Sequence, residues 1–276
     1  MAKPFLTNAA KPATFEVEAY NERGEMVPTA VAGEHPLTLY LDKREIVTLM
    51  TLGHAPEALA IGYLRNQRLV EAIDELSAVQ VDWETESVAV TTKNRRDLGS
   101  LLDKKTVTTG CGQGTVFGDL MEEIDSVKLR TDVTLADADL FVLLEKVRKH
   151  ETIYKQAGAV HGCALASTTG EILMCVEDVG RHIAVDAIAG FMWLDDVDGS
   201  DKVFYTTGRL TSEMVIKCAQ MRVPFLVSRS GLTQMGHAIA QRVGMTMLGR
   251  ASGRHYLAFT GRERLVRTTP QPTALA

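Results

Sequence analysis

The 276-residue sequence lacks the features that mark membrane proteins, secreted proteins and general nucleic-acid binders. It contains no run of about 18 apolar residues, so it predicts no membrane-spanning helix. Residues 1–14 contain no apolar segment of the kind that a secretory signal needs. The formal net charge of -5 argues against binding to nucleic acids in general. We therefore expect a cytoplasmic protein whose partners include neither a membrane nor a nucleic acid.

Cysteine is scarce, and its spacing excludes several common sites. The four cysteines include no C-x-x-C pair, and in the expected compartment they stay reduced. His161, Cys163, Cys175, His182 and Cys218 follow no established zinc spacing, so no metal site is predicted. Cys163, Cys175 and Cys218 lie in strand-like or helical runs, which favours positions in the core. His161 could be a ligand, a hydrogen-bonding group of a ligand site or a core histidine, and the sequence leaves these three alternatives open.

The remaining composition is that of a globular protein with 45% hydrophobic and 24% charged residues, long enough for two modest domains. In residues 15–108, alternating strand-like runs surround one helix that begins at Pro56, which predicts a small α+β domain. In residues 131–267, strands and helices alternate, which predicts an α/β domain with a largely parallel sheet covered on both faces. The other ranges are a flexible tail, a cysteine-bearing loop with linker, and a second tail: 1–14, 109–130 and 268–276.

One cysteine lies apart from the others in a glycine-rich stretch, residues 104–118. Cys111 is flanked by a glycine on each side, and two more glycines follow closely. Glycine permits positive φ angles and places no side chain over a neighbouring thiol, so we expect Cys111 on an open, mobile loop. The alternative is a buried cysteine that fills space, as many do. No apolar run surrounds Cys111, which argues against the buried position, but the local sequence alone leaves both alternatives open.

Polar, glycine-containing segments follow three predicted strands of the C-terminal domain. Each contains an arginine beside hydroxyl groups or a glycine, and each leads into a helix. Helix amino termini, hydroxyls and guanidinium groups together bind anions, most often phosphate. Because ligands of such sheets bind beyond the carboxyl ends of the strands, the three segments predict a phosphate-bearing ligand, with ordinary caps and turns as the alternative. The predicted residues are Glu177, Asp178, Arg181, His182, Thr207, Gly208, Arg209, Ser228, Arg229 and Ser230.

Four motifs, taken together, resemble those of the FdhD family of formate dehydrogenase accessory sulfurtransferases. They are Val-His-Gly-Cys-Ala-Leu-Ala, Glu-Asp-Val-Gly-Arg-His, Thr-Thr-Gly-Arg-Leu-Thr-Ser-Glu-Met and Ser-Arg-Ser-Gly, at residues 160–166, 177–182, 206–214 and 228–231. The resemblance extends over residues 20–264 and places Cys111 where the family carries its sulfur-bearing cysteine. Two positions depart from the family pattern: Gly114 replaces the second cysteine of a common C-x-x-C, and Ile183 replaces a usual asparagine.

The resemblance implies a sulfurtransferase in which Cys111 accepts a persulfide from a cysteine desulfurase. The sulfur would pass to the molybdenum or tungsten bis(molybdopterin guanine dinucleotide) cofactor of formate dehydrogenase, and GDP would mimic the nucleotide end. The resemblance also implies a C-terminal domain similar to cytidine deaminases, a smaller N-terminal domain and a homodimer. In such a site Glu177 and Asp178 could accept hydrogen bonds from guanine, although Asp178 could instead cap the next helix. The implied cofactor segment is Phe259, Thr260, Gly261, Arg262, Glu263 and Arg264.

Two other functions stay open at this level. A nucleotide deaminase fits the implied fold, but the glutamate of an H-x-E motif is absent, since Cys163 occupies that position. A chaperone that binds the cofactor and the target dehydrogenase without carrying sulfur is the second alternative. A single thiol at Cys111 is compatible with persulfide transfer, because a second thiol nearby could convert the persulfide into a disulfide.

Overall fold

The computed structural model describes residues 3–94, 124–150 and 152–268, which form two compact units. The first contains residues 3–94, 152–163 and 176–197, and the second contains residues 124–150, 164–175 and 198–268. This division differs from the predicted boundaries, because residues 152–163 and 176–197 group with the N-terminal part of the chain. The predicted loop and linker at 109–130 lies mostly outside the described residues.

The described residues form fifteen strands and six α-helices. The strands are β1 (Phe5–Leu6), β2 (Thr14–Tyr20), β3 (Met26–Ala32), β4 (His35–Leu41), β5 (Arg44–Thr51), β6 (Leu76–Asp82), β7 (Ser87–Thr92), β8 (Leu135–Ala136), β9 (His161–Ser167), β10 (Ile172–Asp178), β11 (Lys202–Thr206), β12 (Phe225–Ser228), β13 (Thr246–Ser252), β14 (His255–Thr260) and β15 (Leu265–Val266). The helices are α1 (Pro56–Asn66), α2 (Asp137–His150), α3 (Ile153–Ala157), α4 (Arg181–Leu194), α5 (Ser212–Gln220) and α6 (Gln234–Val243). None of these helices is long and apolar enough to cross a membrane.

The first unit contains a five-stranded sheet in the order β1-β6-β7-β4-β5. Strand β4 pairs antiparallel with β5 and parallel with β7, and its residues alternate between a buried and a partly exposed face. Leu37, Leu39 and Leu41 lie on the buried face, as the period of two in the sequence predicts. Strands β2 and β3 form a separate hairpin that leaves apolar side chains in solvent, with Tyr20 75% exposed.

Helices α1 and α4 cross at two glycines in the core of the first unit. A Cβ atom placed on Gly62 would lie 1.7 Å from the carbonyl oxygen of Asp186, and one placed on Gly190 would lie 1.8 Å from that of Ala58. No side chain fits at either position, so the two backbones are in direct contact. This close packing explains why residues 176–197 group with the N-terminal part of the chain.

Hydrogen bonds reinforce the same crossing. The Asn66 amide donates to Asp186 Oδ1 at 2.7 Å, and both side chains are completely buried. Arg65 Nη1 donates to the carbonyl oxygen of Ala189 at 2.8 Å. Buried polar groups are costly unless they are paired, so these bonds favour one register of the two helices over its neighbours.

The second unit is built on the strands β11, β12 and β13, which are parallel neighbours, and β14, which pairs antiparallel with β13. They belong to a sheet with the order β10-β9-β11-β12-β13-β14. Val203, Tyr205, Phe225 and Val227 pack with α2, while Phe204 points to the opposite face and is also completely buried. Apolar residues on both faces are typical of parallel strands, and the predicted α/β fold class is confirmed.

Candidate functional site

The segments after β11 and β12 form one continuous rim in the second unit. Thr206 pairs with Ser228 at the ends of these strands, so both segments leave the sheet at the same edge. Ser228 Oγ donates to the carbonyl oxygen of Gly208 at 2.6 Å, and the Arg229 amide donates to that of Thr206 at 3.2 Å. Ser228 is buried and holds the two segments together. Arg209 and Arg229 are exposed and are the side chains that the rim offers to an anion.

The predicted residue Phe259 lies close to this rim. A Cβ placed on Gly249 of β13 would be 2.9 Å from Cε2 of the Phe259 ring and 3.3 Å from the carbonyl oxygen of Ser230. The Arg250 amide also donates to the Ser230 carbonyl at 2.9 Å. The structure thus brings the β12 rim near the start of the predicted cofactor segment.

Residues 259–264 line a cavity of about 360 Å³ in the second unit. A volume of this size suits part of a nucleotide-sized ligand. Arg262 and Glu263 are exposed at the cavity, whereas Thr260 is buried and its hydroxyl donates to the carbonyl oxygen of Met245 at 2.6 Å. The other lining residues are Thr131, Ala240, Gln241, Gly244, Met245 and Ala258. That this segment binds a cofactor stays a prediction.

Arg264 has a different role from Arg262, although both line the cavity. Arg264 is 4% exposed, and its guanidinium donates to the carbonyl oxygens of Arg130 at 2.8 Å and Gly244 at 2.5 Å. It also lies over the Phe225 ring at 5.2 Å from the ring centroid. Burial lowers the pKa of the Arg264 guanidinium. Arg264 therefore stabilises the cavity wall by binding two backbone segments, whereas Arg262 is exposed to solvent.

In the first unit, the corner between β10 and α4 carries the other predicted residues, and all four are buried: Glu177, Asp178, Arg181 and His182. The Glu177 carboxylate accepts hydrogen bonds from the backbone amides of Thr152, Ile153 and Tyr154, at 2.8, 2.9 and 3.0 Å. Glu177 thus satisfies the free amides at the start of α3. A role of Glu177 in guanine binding stays a prediction, but its oxygens already have protein partners.

The Asp178 carboxylate is also fully engaged within the first unit. Oδ1 accepts hydrogen bonds from the amides of Leu52 and Val179 at 2.9 and 2.7 Å, and Oδ2 accepts one from Thr51 Oγ1 at 2.8 Å. Burial raises the pKa of Asp178 to about 6, against the lowering effect of these three bonds. The alternative that Asp178 caps α4 is wrong, because the N-cap residue of α4 is Gly180 and the helix receives no side-chain cap.

The cysteines differ in exposure. Cys163 and Cys218 are buried, as predicted, and Cys163 Sγ donates to the carbonyl oxygen of Arg181 at 3.8 Å. The prediction of a core position for Cys175 is wrong: it is exposed, because β10 is an edge strand and Cys175 lies on the open face of that strand. Within the described ranges, no group of three or more metal-ligating side chains is found. Cys111 and its loop lie outside the described residues.

Comparison with known proteins identifies the family. The sequence profile of the FdhD/NarQ family matches residues 32–266. The chain belongs to this family. A protein of Wolinella succinogenes named "Sulfur carrier protein FdhD" is 30% identical over 231 residues, which cover 83% of this chain and 80% of the relative. One of the same name from Listeria innocua is 27% identical over 263 residues, which cover 94% of this chain and 99% of the relative.

A solved structure extends the comparison to the fold. The crystal structure of a candidate formate dehydrogenase accessory protein from Desulfotalea psychrophila superposes with a TM-score of 0.75 at 26% identity. The match covers 92% of this chain and 100% of the solved chain. The resemblance to the FdhD family stated from the four motifs is therefore confirmed.

Several residues near the predicted FdhD site carry no signal in the sequence. Thr51 and Leu52 bind Asp178 although about half of the chain separates them. Thr131 and Gln241 line the cavity beside residues 259–264. No motif or periodicity marks these positions, because each is brought to its neighbour by the fold and not by local spacing.

Substituting each of the two arginines of the cavity separates an effect on stability from an effect on ligand binding. We expect Arg264→Met to lower the free energy of unfolding by about 3 kcal/mol, because two buried carbonyl groups lose their charged donor. We expect Arg262→Met, at an exposed position, to change stability by less than about 0.5 kcal/mol but to weaken GDP binding about tenfold. Chemical denaturation and calorimetric titration with GDP measure the two effects. Equal effects of the two substitutions on stability would contradict this assignment.

Proposed function

We propose that this protein is a sulfur carrier that accepts sulfur on Cys111 from a cysteine desulfurase. It transfers this sulfur to the molybdenum bis(molybdopterin guanine dinucleotide) cofactor of formate dehydrogenase. The observation that carries the proposal is the FdhD/NarQ match over residues 32–266, which includes Cys111. Support comes from two relatives named as sulfur carriers and from a solved neighbour described as a formate dehydrogenase accessory protein. A cytoplasmic location and a homodimeric state are parts of the same proposal.

The first chemical step is a thiol–persulfide exchange. The Cys111 thiolate attacks the outer sulfur of the persulfide on the desulfurase, a new sulfur–sulfur bond forms, and the thiolate of the desulfurase leaves. This step involves no net oxidation or reduction. In the second step the outer sulfur leaves Cys111 for the cofactor. Delivery as sulfide consumes two electrons, which a thiol reductant supplies, and it restores the Cys111 thiol.

The second unit has the chemistry to hold the nucleotide end of this cofactor. A guanine dinucleotide carries diphosphate groups, and the exposed guanidinium groups of Arg209 and Arg229 suit such anions. The ring of Phe259 offers a stacking surface, and the exposed Glu263 offers a carboxylate to the donors of a guanine edge. GDP contains both groups and is the simplest mimic of this part of the cofactor.

Transfer of radiolabelled sulfur tests the proposal directly. The purified protein is incubated with a cysteine desulfurase and cysteine labelled in its sulfur atom, and label bound to the protein is counted before and after treatment with a thiol reductant. We expect the unmodified protein to carry label that the reductant releases, because persulfides are reducible. We expect Cys111→Ala to carry none.

Cys175→Ser is the matched control for this experiment, since Cys175 is the exposed cysteine among the described residues. It should be labelled as fully as the unmodified protein. Equal labelling of Cys111→Ala and the unmodified protein would remove Cys111 from the proposal.

A further inference from the structure

We propose that one face of the β2–β3 hairpin, which we call the acidic face, is the docking surface for the cysteine desulfurase. It is suited to a basic surface that surrounds an apolar pocket. This inference rests on the proposed function, in which the desulfurase is the sulfur donor. The acidic face consists of alternate side chains of the two paired strands, all of them exposed: Glu16, Glu18, Tyr20, Met26 and Pro28.

Apolar side chains are prominent on the acidic face. Tyr20 and Met26 are paired across the two strands next to the turn, and they are 75% and 47% exposed. Pro28, the cross-strand partner of Glu18, is exposed as well. Tyrosine and methionine are enriched in protein–protein interfaces, and tyrosine is common among the residues that dominate binding energy. The Tyr20 and Met26 pair therefore has the composition of an interface centre.

The charge of the hairpin restricts what can cover it. Residues 14–32 contain four glutamates and one arginine. Glu16 and Glu18 project from the same face as Tyr20, because side chains alternate along a strand. A second copy of the chain packed face to face would bring these carboxylates together, which is repulsive. Nucleic acids and anionic membranes are repelled for the same reason, so the occupant that fits is a protein with a basic contact surface.

The size of the acidic face favours a transient partner. Tyr20, Met26 and Pro28 together offer on the order of 300 Å² of apolar surface. A stable complex buries about 800 Å² on each partner. A small contact dissociates readily, which suits a donor that has to leave after each sulfur transfer.

The hairpin is ordered at both of its ends. In the turn, the Asn21 side-chain oxygen accepts the amides of Arg23 and Glu25 at 2.9 and 3.0 Å, and the Asn21 side-chain amide donates to Glu25 Oε2 at 2.9 Å. At the base, the Phe15 ring contacts the His35 ring edge-on, with 6.0 Å between the centroids. A surface that is ordered before binding loses little conformational entropy when its partner docks.

Two observations favour the donor over formate dehydrogenase as the occupant. The acidic face belongs to the first unit, whereas the cavity and the rim that are proposed to hold the cofactor belong to the second. The exposed side chains of that cavity and rim include Arg209, Arg229 and Arg262, so the two surfaces differ in charge. Surfaces of opposite charge select different partners. The acceptor brings its cofactor to the second unit, and the acidic face is left for the donor.

The experiment measures how fast Cys111 of the full chain takes up labelled sulfur at a series of protein concentrations. One donor is a cysteine desulfurase with labelled cysteine. The other is glutathione persulfide with a labelled outer sulfur, a donor too small to need a docking surface. In both reactions the Cys111 thiolate attacks the outer sulfur and the thiolate of the donor leaves, so only the docking step differs.

We expect the double variant Tyr20→Ser, Met26→Ser to raise the apparent KM for loading by the desulfurase about tenfold and to leave the maximal rate unchanged. Its loading from glutathione persulfide should equal that of the unmodified protein. Met235→Ser is the matched control, because Met235 is a methionine of similar exposure, 49%, in the second unit. Its KM should stay within about twofold of the unmodified value.

Glu18→Gln tests the charge separately and adds no change in size. We expect it to raise the apparent KM for the desulfurase about threefold at low ionic strength. The difference should disappear at about 0.5 M salt, because salt screens exposed charges. Glu171→Gln, at an exposed position of the second unit, is the control and should leave the KM unchanged. If the double variant does not fold, this pair decides.

Each contrary result overturns the inference. An unchanged KM in the double variant and in Glu18→Gln would do so and would leave Cys111 as the carrier. Equal losses with both donors would show that the hairpin acts on the fold or on the thiol. Normal loading with lost binding to formate dehydrogenase would assign the face to the acceptor, and a smaller sedimenting species would assign it to an interface between copies. An unmodified protein that takes label from neither donor would overturn the proposed function as well.

Discussion

Cells whose only copy of this protein carries Cys111→Ser are expected to lose formate dehydrogenase activity by about 100-fold or more. Serine has nearly the size of cysteine, so the chain should fold and bind nucleotide as before. Its hydroxyl, however, is not a sulfur nucleophile and cannot take up and release a persulfide sulfur. Formate dehydrogenase activity in extracts of a strain without the native gene, complemented with each variant, gives the measurement.

This complementation separates a carrier from a chaperone. A protein that only holds the cofactor and delivers it would restore full activity with serine at position 111. Cys175→Ser, an exposed cysteine on β10, is the control and should restore normal activity. The Cys111→Ser protein should also bind GDP with unchanged affinity, which ties the lost activity to sulfur transfer.

Gly190→Ala is expected to destabilise the first unit by more than about 4 kcal/mol. The new methyl group would lie 1.8 Å from the carbonyl oxygen of Ala58, and this neighbour is backbone that no rotamer change can move. The helices α1 and α4 would have to separate, which would break the buried bond between Asn66 and Asp186. Urea denaturation followed by circular dichroism measures the effect, and Gly62→Ala should behave in the same way.

Gly231→Ala is the control for this steric argument. An added Cβ at Gly231 meets no atom within 4 Å, and the residue does not adopt a positive φ. We expect its stability to stay within about 0.5 kcal/mol of the unmodified protein. A Gly190→Ala protein as stable as Gly231→Ala would mean that the two helices are farther apart than the structure shows.

The sequence predicted those parts of the molecule that depend on local pattern. The apolar runs at β11 and β12 indicated buried parallel strands, and the polar segments after them do share one edge of the sheet, with Thr206 opposite Ser228. The four motifs were sufficient to identify the FdhD family. These features depend on stretches of a few residues, in which side-chain periodicity predicts strands and turn residues predict where the strands end.

The rest depends on contacts between distant parts of the chain. Nothing in a local window pairs Thr51 with Asp178, or brings Gly62 and Gly190 into the same helix crossing, so the sequence predicts neither contact. The misplacement of Cys175 has a related cause. Alternation shows that two faces of a strand differ, but it does not say which face another element covers.

The discontinuous chain path of the first unit also constrains how the protein is made. Every residue of α1 except Arg65 is buried, yet its partner α4 is translated only much later. At synthesis rates of about 5–20 residues per second, the chain from Asn66 to Arg181 takes roughly 6 to 23 s to emerge from the ribosome. During that interval a nascent chain exposes the face of α1 that later packs against α4, which makes it a natural client for ribosome-associated chaperones.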